Sequence, residues 1–191
     1  MRHYIQVCII SCHLLFISCQ KNGIKKEVED FMSIPVTLNL DSMENATILH
    51  GGRPHLKGII KPEYTYVDYI DSTKCTECAI KHLPEWISIM ESVSQKGINM
   101  RFAFIIAPPK NLINDVDSIL TMEPELNDCI YLDYRGIMEK RNPHLPKSKM
   151  LHTFLLDKEG DVLLVGNPIG NQKIRDLMYK IINDKASPKI Y

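Results

Sequence analysis

Residues 64–78, YTYVDYI-DSTK-CTEC, decide how the rest of the chain is read. Tyr64 to Ile70 is aromatic or β-branched at every position but Asp68, which predicts a strand. Cys75 and Cys78 follow after a four-residue link, where a helix is predicted to begin at Thr76. Two thiols spaced by two residues can close a small disulfide ring. The unpaired N–H groups of a helix start carry partial positive charge, which favours a thiolate on the first of them.

Downstream of this junction the elements alternate. Thr76 to about Ser94 carries Ile80, Leu83, Ile87 and Met90 on one helical face, with Pro84 expected to kink it. Arg101–Ala107 predicts a second buried strand, Leu112–Met122 a helix, and Cys129–Asp133 a third strand. Gly136–Asn142 reads as a short polar helix. Leu151–Asp157 and Asp161–Gly166, joined by Lys158-Glu159-Gly160, predict a β-hairpin. The terminal helix is the most regular element, with Ile174, Leu177, Met178, Ile181 and Ile182 on one stripe and Asn171 placed to cap it.

Residues 1–18 set the compartment. Arg2 precedes an apolar run from Tyr4 to Ser18 that is too short to span a bilayer, which fits a signal-peptide core. Phe16-Ile17-Ser18-Cys19 resembles a bacterial lipobox, in which the cysteine is lipidated and becomes the new N-terminus; Phe16 stands where leucine is usual. An ordinary secretory signal or a buried N-terminal strand is the alternative. Residues 19–33 are expected to form a charged tether, 34–56 an N-terminal β extension and 57–191 one domain.

Removal of residues 1–18 leaves 173 residues, enough for a single core, with 22 basic against 23 acidic side chains. A net charge of −1 gives no reason to expect nucleic acid as a partner. Of the six cysteines, Cys8 and Cys12 leave with the signal and Cys19 would carry lipid. The remaining three are too few for a disulfide framework, so Cys75 and Cys78 read as a working pair and Cys129 as a buried strand residue.

A β-α-β unit with C-x-x-C opening its first helix, followed by a hairpin and a terminal helix, resembles the thioredoxin fold over residues 57 to 185. The extra helix and strand before the hairpin look like the envelope-tethered thiol-disulfide oxidoreductases of bacteria. The resemblance implies a three-layer α/β/α sandwich with that helix–strand insertion and an N-terminal β extension. It also implies roles. Cys75 would attack a substrate disulfide and Cys78 would resolve the mixed disulfide. His152 and Thr153 would face the dithiol and dock substrate, while Lys74, Glu77 and Asp71 would tune the thiols. Lys74 favours the thiolate and Glu77 opposes it, which leans towards a reductase or exchange role. Partners would be protein thiols or disulfides of the cell envelope, an upstream electron donor, and a bilayer through Cys19. No cofactor is implied.

Three departures from the family pattern stand out. Thioredoxins place a cis-proline before the hairpin strand, whereas this chain has Leu151-His152-Thr153, with His152 expected in trans. Pro84 lies six residues after Cys78, where five is usual. The buried acid of the family aligns with Tyr69, so either Asp68 or Asp71 could substitute, with Asp68 expected on the solvent side. The competing reading is a non-catalytic module, with a static disulfide or with zinc held by Cys75, Cys78 and His152, and His82 one turn beyond. A c-type haem site is excluded because residue 79 is alanine. Trp86 is expected to pack against a strand or the N-terminal extension, and the scattered methionines fill core.

Overall fold

The computed structural model describes residues 23–49, 61–71, 81–109 and 124–184. Its strands are β1 (Glu44–Asn45), β2 (Tyr64–Ile70), β3 (Met100–Ile106), β4 (Ile130–Leu132), β5 (Thr153–Asp157) and β6 (Val162–Val165). They form one sheet in the order β1-β4-β3-β2-β5-β6. β2, β3 and β4 run parallel, and β5 is antiparallel to both β2 and β6. β3-β2-β5-β6, with only β5 reversed, is the strand arrangement of thioredoxin. β4 is the inserted strand beside β3, and β1 closes that edge.

The alternation within β2 builds two cores. Tyr64, Tyr66 and Ile70 point into one, with Phe102, Phe104 and Leu155, while Val67 and Tyr69 point into the other, with Ile105 and Phe154. The first core is covered by α3 (Ile87–Gln95), through Ile89 and Val93, and by α5 (Gln172–Asp184), through Met178 and Ile182. The second is covered by α1 (residues 23–32), through Phe31, and by α4 (Ile137–Arg141), through Met138. The result is the expected α/β/α sandwich. No helix among the described residues is long and apolar enough to cross a membrane.

Local chemistry explains the element ends. Pro84 lies in the first turn of a 3-10 segment, Leu83–Trp86, that leads into α3. Trp86 then packs within 5.2 Å of Tyr66 and 5.5 Å of Phe104, measured between ring centroids, so its partner is the sheet. Asn171 Oδ1 accepts the Ile174 N–H at 3.3 Å, the anticipated cap of α5. In the hairpin turn, Asp157 Oδ1 accepts the N–H groups of Glu159 and Asp161, both at 3.0 Å, and Gly160 adopts φ +94°.

The N-terminal region differs from the sequence expectation. The tether expected over 19–33 is helical from residue 23 to 32, because Ile24, Val28 and Phe31 share one face and Phe31 is buried edge-on against Phe154 at 5.1 Å. Of the β extension expected over 34–56, the described residues 34–49 contain one strand, the two residues of β1. Backbone groups before it are satisfied elsewhere: the Thr37 N–H donates to Asn142 Oδ1 at 2.7 Å, the Asn142 side-chain amide donates to Thr37 O at 3.1 Å, and the Val36 N–H donates to Gly160 O at 2.8 Å. Ala46–Leu49 is a helical turn, α2, despite its β-branched content. Asn45 Oδ1 accepts the Thr47 N–H, a local bond that competes with a ladder, and the Thr47 hydroxyl binds the distant Asp128. Cys129 ends a 3-10 turn, Pro124–Cys129, and precedes β4 instead of lying within it. The helix expected at 112–122, and residues 1–22 with Cys19, lie outside the described residues.

Candidate active site

β2 lies between β3 and β5 and delivers Asp71 to the carboxyl end of the sheet, four residues before Cys75. Lys74, Cys75, Glu77 and Cys78 lie outside the described residues. The described part of the site is therefore the ground from which the dithiol segment departs. Its centre is the carboxylate of Asp71, only 2 % exposed. An ionised carboxylate at that depth is costly unless it is paired. Lys149 Nζ meets its Oδ2 at 2.9 Å, from a side chain still 41 % exposed.

Lys149 opens a 3-10 turn, Lys149–Leu151, which leads into His152 and β5. The Ser148 N–H before the turn donates to Glu27 Oε1 of α1 at 2.9 Å. His152 is 2 % exposed, and among the described residues no peptide bond is cis. The His152 carbonyl accepts the Tyr69 N–H at 2.9 Å, and its own N–H donates to Lys149 O at 3.3 Å. The ring stacks on Tyr69 at 5.3 Å between centroids, with Nε2 2.8 Å from Pro146 O and Nδ1 3.5 Å from Asp71 Oδ2. A carbonyl can only accept, so Nε2 carries a proton. Tyr69 itself is held neutral, its pKa raised by burial first and then by Glu139 and Asp133.

The structure thus brings Asp71, His152 and Thr153 to one end of the sheet. It also separates the two aspartates. Asp71 is the buried acid, while Asp68 is half-buried and accepts the Thr153 hydroxyl at 3.0 Å. A groove of about 590 Å³ opens beside them, lined in part by Asp68, Ile70, Trp86, Lys149, Met150 and Thr153. Met150 is 69 % exposed at its rim. His82, whose side chain is 73 % exposed, turns to Glu85 at 2.5 Å.

Lys149 was not singled out from sequence, and no spacing could have revealed it, because its partner lies 78 positions away in the chain. Cys129 sits just before β4, level with Val67 in the middle of β2 and two strands to its side. Burial, followed by the charge of Asp128, raises its thiol to about 11 against a weaker opposing pull from Arg101. Among the described residues, no group of three or more His, Cys, Asp or Glu side chains is placed to hold a metal ion.

No family model matches the chain, and no curated protein matches it. The fold is thioredoxin-like. That assignment rests on the strand order and directions given above. Among solved structures, the chain is similar to a domain of a possible thiol-disulfide isomerase from Cytophaga hutchinsonii, at 13 % identity and TM-score 0.47, over 75 % of this chain and 90 % of that one. It is also similar to a provisionally named thiol:disulfide interchange protein DsbE from Chlorobium tepidum, at 17 % identity and TM-score 0.46, over 64 % and 82 %. Yeast Sco1 with copper bound gives 13 % identity and TM-score 0.41, over 62 % and 78 %. At these values the likenesses carry no argument about chemistry.

Proposed function

We propose that this chain is an exported, lipid-anchored thiol-disulfide oxidoreductase acting through Cys75 and Cys78. The observation that carries the reading is the buried Asp71 carboxylate, paired with Lys149 beside an open groove, four residues before Cys75 at the end of the central β2 strand. The Cys75 thiolate attacks a substrate disulfide, one substrate sulfur leaves as a thiolate, and a mixed disulfide forms. Cys78, deprotonated, then displaces the second substrate sulfur. The substrate gains two electrons and the enzyme is left with a Cys75–Cys78 disulfide, which an upstream electron donor of dithiol type reduces. The sulfurs carry all of this chemistry, so the reading requires no cofactor.

Lys74 would favour the thiolate and Glu77 oppose it, and Asp71 would set the field beneath the segment. Thr153 and the backbone around His152 would form the wall against which substrate docks. Export and anchoring follow from residues 1–19, with Cys19 as the lipidated residue. Substrates would be protein thiols or disulfides of the cell envelope. The zinc alternative is less well supported, because Nε2 of His152 is bonded to Pro146 O and Nδ1 faces Asp71.

Reduction of insulin disulfides by the intact chain, compared with Cys75→Ser, tests the reading. Activity in the parent and its loss in the variant support it. An inactive parent that co-purifies with zinc, and loses it on Cys75→Ser, would replace it with the binding module. Trapping with Cys78→Ser then isolates mixed-disulfide partners.

A further inference from the structure

The path of the N-terminal arm across the sheet gives the candidate site a direction. Three contacts fix that path. Glu27 accepts the Ser148 N–H, Phe31 packs on Phe154, and the Val36 N–H reaches Gly160 O. Thr153 pairs with Asp68 and Asp157 pairs with Tyr64, so β5 starts at the carboxyl end of β2 and finishes at the other. The arm therefore runs alongside β5 from the candidate-site end to the hairpin turn. Glu27 is level with the turn that carries Lys149, and α1 continues four residues beyond it to Gly23. At 1.5 Å per residue this adds about 6 Å beyond Ser148.

Only residues 20–22 separate Gly23, the first described residue of α1, from Cys19. The four Cα–Cα steps between them reach at most about 14 Å even when fully extended. A lipid on Cys19 would then hold the bilayer surface within about 20 Å of the Ser148 level, the sum of those two lengths. The opposite end of the domain is one strand farther away, about 16 Å for the five residues of β5. The end nearest the lipid also carries Lys147 and Met150, both exposed, and the partly exposed Ile24. A basic and apolar rim of this kind suits a phospholipid surface.

We infer that the carboxyl end of the sheet, where the candidate site lies, faces the membrane, and that the enzyme serves cysteines held close to the bilayer in preference to those of freely diffusing proteins. This rests on the lipid-anchored oxidoreductase reading. The docked helix turns an expected long tether into a short one, and a short tether fixes orientation as well as location.

The test uses the lipidated full chain in phosphatidylethanolamine–phosphatidylglycerol vesicles carrying nitroxide headgroups. A bimane label is placed at Met150→Cys or Lys158→Cys in a Cys75→Ser, Cys78→Ser, Cys129→Ser background. Quenching at least two-fold stronger at 150 than at 158 is expected. Equal quenching on a chain whose mass confirms the lipid overturns the orientation and leaves the lipid reading standing. A mass without lipid overturns both. Ten Gly-Ser residues inserted after Asn22 should abolish the difference, and its persistence would overturn the short-tether argument. Hydrogen exchange on the lipidated chain with all its cysteines gives an independent readout. Amides 147–151 should exchange at least two-fold more slowly than in Cys19→Ala with the same vesicles, with 158–161 unchanged, and equal slowing at both ends overturns the orientation.

Discussion

Two regions of the sheet treat charge in opposite ways. At the start of β4, Cys129 is enclosed with Asp128 nearby, and its thiol is pushed up to about 11. At the carboxyl end of β2, the buried group is an acid, Asp71, and a lysine is brought in to meet it. The first arrangement silences a nucleophile. The second maintains a charge below the surface of an open groove, at the cost of desolvating it. A thiol's reactivity thus depends on the field around it as well as on its being a cysteine.

The sharpest way to break this contrast is to exchange the roles of the cysteines. Cys75→Ser should abolish disulfide reduction, while Cys129→Ser should leave the rate within two-fold, both read by insulin turbidity. Residual exchange that required Cys129 would overturn the contrast. Next in size, Phe31→Ala should cost about 3–5 kcal/mol in urea unfolding, the range for removing a buried phenylalanine, because it empties the contact with Phe154 that anchors α1 beneath the site. A cost below 1 kcal/mol would show that the arm is dispensable.

Lys149→Met leaves Asp71 without its lysine. Breaking a fully buried pair costs about 3–5 kcal/mol, and the exposure of Lys149 brings the expectation down to about 2 kcal/mol. Adding Asp71→Asn should restore most of that loss; failure to restore it would mean that Lys149 acts through packing. The smallest effect concerns pH. Cys129 should resist iodoacetamide at pH 8 in the native reduced protein, read by mass spectrometry. Its pKa is raised from 9.0 to about 11, so its contribution to stability is complete below pH 9. Between 9 and about 11 the unfolded chain ionises first and that contribution is lost. Ready alkylation at pH 8 would remove the distinction between the two regions.

What the sequence disclosed followed from periodicity. Tyr64–Ile70 forms a strand over those same residues, the hairpin closes on its Lys158–Gly160 turn, and the stripe from Ile174 to Ile182 is helical. The helix of the arm is hard to read locally although Ile24, Val28 and Phe31 have helical spacing. Lysines and acids fill the positions between them, and burial of that stripe depends on Phe154 and His144, far along the chain. The site divided in the same way. Asp71 was visible because it stands close to Cys75, but Lys149 and the clamp of Glu27 on Ser148 are long-range contacts with no local mark.

The arm also has a consequence for the order of folding. Glu27 and Ser148 are 121 positions apart, and Phe31 and Val36 likewise reach into the final third of the sequence. A chain made from its amino end has no surface for this arm until the hairpin has emerged. Gly160 makes the fit close, since a Cβ there would lie 2.5 Å from the Val36 carbonyl oxygen. The first described segment to be synthesised is thus the last able to settle, and loops this long slow the final step. Until the hairpin is in place, the arm from Gly23 onward has none of its three long-range partners and stays open to proteases.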